Sequence, residues 1–97
     1  MSDAKLVVFG LDGACFELVE EWLAAGDLPT LERIRDRGGG ASLESCVPAT
    51  TPSAWTTLTT GVNPGKHGIF GFYGRQPDTY AVSPVSDQAV HARRLWD

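Results

Sequence analysis

Lys5 to Leu11 reads KLVVFGL, a short apolar run rich in β-branched residues that stops at Asp12-Gly13. Such a run marks a strand buried on both faces, the kind found in parallel sheets. A strand of that kind cannot stand alone. Its backbone N–H and C=O groups need partners and both its faces need cover. The run therefore points to a layered fold of helices packed on a sheet. The segments after it fit that plan. From Cys15 to Ala25, Phe16, Val19, Trp22 and Leu23 recur at helical spacing, and Gly26 ends the helix. DLPTLERIRDRG predicts a second short helix, with Leu31 and Ile34 on one face and Gly38 as its stop. ASLESCV alternates small and polar residues and predicts a strand. Thr51 to Thr60 predicts a helix closed by Gly61, and the glycine-rich Val62–Arg75 stretch an ordered loop. Tyr80 to Val82 predicts a short strand. Asp87 to Asp97 predicts the start of a helix with Asp87 as its N-cap. The alternation is that of an α/β fold with a mostly parallel sheet.

Size limits how much of that fold is here. The chain has 97 residues, enough for one small domain. Two or three strands are few for a parallel sheet, and Leu95 and Trp96 stand at the end with nothing after them to pack against. The expectation is a single partial domain over residues 1–97, the N-terminal part of a larger one. The net charge of −4, without a basic stripe, argues against a nucleic-acid partner. No apolar run approaches the roughly 20 residues that span a membrane. MSDAK carries an acid where a secretory signal would be basic. A cytoplasmic protein with no membrane partner is expected, with Cys15 and Cys46 as free thiols.

Two residues carry the candidate chemistry. Asp12 follows the first predicted strand, at the carboxyl end where open α/β sheets bind ligands. A carboxylate there, beside Gly13, suits a metal ion; the plainer reading is a turn or helix cap. Thr51 directly precedes Pro52. Proline favours the first helical position and threonine the cap before it, which predicts Thr51 as N-cap. A hydroxyl there faces unpaired N–H groups and the positive end of the helix dipole, a setting for an alkoxide or a phosphate. The plainer reading is a cap contributing about 1 kcal/mol. His67, between glycine-rich segments, reads more simply as bonded to backbone than as a ligand, and His91 as a surface residue. CVPAT, from Cys46 to Thr50, lacks the arginine of the sulfatase signature, since Thr50 stands in its place. Cys46 is therefore read as structural.

Taken together, LVVFGLDGA, VPATTPSAWTTLTTGVNPGKHGIFGF and ARRLWD resemble the type I phosphodiesterase/nucleotide pyrophosphatase family of the alkaline phosphatase superfamily. The resemblance implies the N-terminal portion of an α/β/α sandwich. It also implies two divalent metal ions, usually zinc, and hydrolysis of a small phosphate ester through a phosphothreonine. It places a metal ligand at Asp12 and places the nucleophile, also a metal ligand, at Thr51. Pro52-Ser53-Ala54-Trp55 stands where nucleotide pyrophosphatases have Phe-Pro-Asn-His, and Phe72 where they have a phosphate-binding asparagine. The family's other metal ligands come from later in the chain, so the 97 residues alone are expected to be inactive. A phosphotransferase or mutase on the same fold is the alternative, and a non-catalytic interaction remnant a third reading.

Overall fold

The computed structural model describes residues 3–97. They fall into two compact units, one running to Leu43 and the other from Glu44 to Asp97.

In the first unit two helices form where hydrophobic periodicity predicts them, α1 over Phe16–Ala24 and α2 over Pro29–Arg37. Helix α1 ends at a glycine for a definite reason. Gly26 adopts φ +79, and the N–H groups of Gly26 and Asp27 return to the carbonyls of Leu23 and Trp22. That is a Schellman ending, which satisfies two carbonyls the last turn would otherwise leave open. Leu23 is the buried hydrophobic residue of α1. Arg35 on α2 donates to both carboxylate oxygens of Glu20 on α1 at 2.9 Å. Both side chains are exposed enough for water to screen the pair.

The Lys5–Leu11 run departs from expectation. It joins no ladder, and Leu6 and Phe9 are 89% and 87% exposed. ASLESCV likewise forms no strand. The physical reason is that a strand is a property of a pair. β-Branched residues favour extended backbone, but only a neighbouring edge supplies the ladder, and none of the described residues does so here. What remains is a mixed helix and strand chain consistent with an α/β fold. Its described sheet is two-stranded and antiparallel.

The second unit holds α3 over Thr51–Thr60, α4 over Pro64–His67, β1 over Tyr73–Arg75 and β2 over Val82–Pro84. Gly61 closes α3 at φ +73 as its sequence predicts. The single turn of α4 is set by Asn63, whose side chain accepts from the N–H of Lys66 at 3.2 Å; the predicted loop contains this helix. Strands β1 and β2 pair with Gly74 opposite Ser83. The predicted Tyr80–Val82 strand is thus shifted, and Tyr80 itself is 94% exposed. The predicted C-terminal helix is only a 3-10 turn over Asp87–Ala89. Beyond it, the N–H of His91 bonds the His67 carbonyl and that of Leu95 the Thr59 carbonyl. Tertiary acceptors take the donors that a continuing helix would need. Arg94 fastens the same segment by donating to Thr59 Oγ1 at 2.8 Å and Asp87 Oδ1 at 2.6 Å.

Helix α3 packs a hydroxyl-lined face. Ser53 and Thr56 are buried on it. Thr56, Thr59 and Thr60 donate to carbonyls four residues back, at 2.7, 3.0 and 2.7 Å. This back-bonding lets a threonine face the interior with its donor satisfied.

Leu23 and Ile69 are the buried hydrophobic residues among those described, while Leu6, Phe9, Leu43 and Leu95 are each more than four-fifths exposed. So much open apolar surface favours association. The 97-residue chain by itself is expected to self-associate at about micromolar concentration. Light scattering after size exclusion checks this, and a monodisperse monomer with one sharp thermal transition would contradict it.

Candidate active site

The mouth of α3 differs from its sequence-based description by one residue. The first helical bond runs from the N–H of Ala54 to the Thr50 carbonyl at 2.8 Å, so Thr50 is the N-cap and Thr51 the first helical residue. Pro52 stands second. The shift carries little strain, because first-turn N–H groups have no intrahelical acceptor and proline's missing donor is not needed there. Thr50 sits in extended backbone, φ −107 and ψ 158. Its hydroxyl does not cap the helix. It donates instead to the Phe70 carbonyl at 3.2 Å. Thr51 is exposed at the helix start.

Below this mouth lies a buried histidine. His67 is fully enclosed, at 0% exposure. Its Nδ1 accepts from the N–H of Ile69 at 3.1 Å, and Nε2 lies 2.9 Å from Thr57 Oγ1. An Nδ1 that accepts carries no proton, so the ring is the neutral Nε2–H tautomer and donates to Thr57. Burial holds its pKa below the ordinary range, with Arg94 adding a smaller push in the same direction. The ring therefore acts as a structural tie between α3 and the α4 loop. His91 is exposed, as expected. Its ring lies against Gly68, where φ is +83 and an added Cβ would come within 2.9 Å of His91 Cδ2.

Cys46 keeps the structural role read from its sequence. Its thiol donates to the Pro48 carbonyl at 3.3 Å and lies 3.4 Å from Ser53 Oγ. The Ser53 hydroxyl is the main cause of a thiol pKa below its usual value. Both cysteines are free. The sequence carries no local signal for the Thr57–His67 tie, whose partners lie ten residues apart.

Asp12 occupies a tight turn in the other unit. The N–H of Ala14 approaches the Leu11 carbonyl at 3.4 Å, and Gly13 takes φ +72 in the third position. That is the type II pattern, in which glycine is favoured because φ must be positive. Asp12 is exposed there. Among the described residues no three His, Cys, Asp or Glu side chains gather as a metal-binding group. Phe72 is 62% exposed, and its carbonyl accepts from the Val85 N–H.

The match to known families points to the class of phosphoric ester hydrolases. The chain belongs to the type I phosphodiesterase / nucleotide pyrophosphatase family, whose model matches residues 6–97. No curated protein and no solved structure matches the chain. No helix among the described residues is long and apolar enough to cross a membrane.

The enclosed ring gives a pH dependence whose sign follows directly. A histidine with a depressed folded pKa binds fewer protons folded than unfolded. Its contribution to stability is complete above about pH 6.5 and declines as the pH falls below that value. Urea midpoints taken from about pH 8 to pH 5 should fall, and His67→Asn should flatten the fall. Equal slopes for the two proteins would contradict the assignment.

Proposed function

We propose that this chain carries the nucleophile of a metal-dependent phosphodiesterase or pyrophosphatase, and that the nucleophile is Thr51. The observation that carries the reading is the family match over residues 6–97, which spans the VPATTPSAW segment and its helix. The position of Thr51 supports it. The residue is exposed at the first helical position, where backbone dipoles favour developing negative charge. In the reaction, the Thr51 oxygen loses its proton to water and bonds to phosphorus as the bond to the leaving alcohol or phosphate breaks, leaving Thr51 esterified to the phosphoryl group with the substrate's remaining ester. Water then cleaves the bond between Thr51 and phosphorus, releasing the phosphate monoester and restoring the hydroxyl.

The family generally uses divalent metals, and such ions, when bound, would lower the hydroxyl's pKa and stabilise charge on the phosphoryl group. Asp12 and Thr51 would be oxygen ligands, zinc being the resemblance's metal. A zinc site takes about three or four protein ligands, so two do not build one. The further ligands lie outside these 97 residues in this reading, and the chain by itself is inactive. The substrate is a small phosphate ester. The test is an acid quench of the full-length enzyme during turnover of a chromogenic phosphodiester, followed by peptide mass spectrometry. The phosphoryl group still carrying the substrate's second ester is expected on Thr51, and the same adduct on another residue overturns the reading.

A further inference from the structure

Two side chains of α3, two turns apart, hold the same short loop. At the mouth, Thr50 donates to the Phe70 carbonyl at 3.2 Å. Seven residues on, Thr57 receives the Nε2–H of His67 at 2.9 Å. Between these anchors the loop is internally tied, because His67 Nδ1 accepts from the N–H of Ile69 at 3.1 Å. Ile69 is itself buried, at 3% exposure. The result is a closed circuit: α3 to His67, His67 to Ile69, Phe70 to Thr50, and Thr50 back into α3. Neither Thr50 nor His67 is left for a chemical step. Thr50's hydroxyl hydrogen points to a carbonyl, and both His67 nitrogens are occupied.

We infer that Thr50 is a positioning residue for Thr51, acting through the Phe70 carbonyl, with the buried His67–Thr57 bond as the second anchor of the same circuit. The inference rests on the reading of Thr51 as nucleophile. Thr50 is the residue from which the helix departs. Its carbonyl accepts the first helical bond, and its hydroxyl fixes the extended backbone immediately before Thr51. Releasing that hydroxyl frees the N-cap torsions, and with them the direction of the Thr51 side chain. A misplacement of about 1 Å at a reacting group can cost about a hundredfold in rate.

The test uses three variants of the full-length enzyme. Thr50→Val keeps the shape and β-branching but removes the donor. It should lower kcat by about 10- to 100-fold with KM within about twofold, since no substrate contact is lost. Thr50→Ser restores a donor and should return kcat to within about threefold of the parent. Hydrogen exchange by mass spectrometry gives a second readout that needs no turnover. Peptides covering Ala54 and Ile69–Phe70 should take up deuterium faster in Thr50→Val and at the parental rate in Thr50→Ser. Thr51→Ala separates the two readings. If it still turns over, the nucleophile assignment fails and the positioning role with it. If Thr51→Ala is inactive while Thr50→Val matches the parent in kcat and exchange, the positioning role alone is overturned. A loss confined to KM also overturns it, because that marks Thr50 as a substrate contact.

Discussion

On the proposed reading, Thr51→Ala should remove nearly all turnover from the full-length enzyme and abolish the trapped phosphoenzyme. Deleting a nucleophile that forms a covalent intermediate typically costs on the order of 10⁴-fold or more, because neighbouring groups have no atom left to activate. Thr51→Ser should retain measurable turnover, since a hydroxyl remains at the first helical position. Thr50→Ala should lose far less than Thr51→Ala, because Thr50 is directed at the Phe70 carbonyl rather than at the open mouth of α3. Initial rates on a chromogenic phosphodiester, with acid-quench mass spectrometry on the same samples, check all three variants. A phosphoenzyme that survives Thr51→Ala and disappears with Thr50→Ala reverses the assignment of the two threonines. The helix begins one residue earlier than the proline suggests, so this comparison tests the chemistry separately from the capping rule.

The second large effect is on stability. His67→Ala should destabilise the Glu44–Asp97 unit by about 3 kcal/mol, a large share of the net stability of any small fold. Three losses combine: the buried Ile69 N–H loses its acceptor, the Thr57 hydroxyl loses its donor, and the volume of the ring is left empty. Two partial mimics separate the bonds. Asparagine offers an oxygen near the place of Nδ1 and can keep the Ile69 bond. Glutamine offers an NH₂ near the place of Nε2 and can keep the Thr57 bond. Each should fall between the parent and His67→Ala. Urea unfolding at high dilution, followed by tryptophan fluorescence, measures the series. An alanine variant as stable as the parent would show that the ring's enclosure contributes nothing net.

The local elements of this chain were legible because local rules set them. Phe16, Val19, Trp22 and Leu23 mark α1 by their spacing, and Gly26 and Gly61 end helices because each supplies a positive φ at negligible steric cost. The start of α3 also follows from the Thr-Pro pair, to within one residue. LVVFGLDGA, VPATTPSAWTTLTTGVNPGKHGIFGF and ARRLWD together resemble the family, whose model matches residues 6–97. Those conclusions need only neighbours in sequence. The remainder depended on distant partners. KLVVFGL has the composition of a buried strand and pairs with nothing among the described residues, since a ladder requires a second edge that composition cannot supply. The Asp87–Asp97 segment has a helix-like start, yet the carbonyls of His67 and Thr59 capture its donors first. His67 bonds to backbone through Ile69, as its sequence predicts, and is also a buried tie to Thr57, because only folding brings both partners to opposite nitrogens of one ring. That Thr50 is held was likewise decided by tertiary structure, through the Phe70 carbonyl twenty residues away.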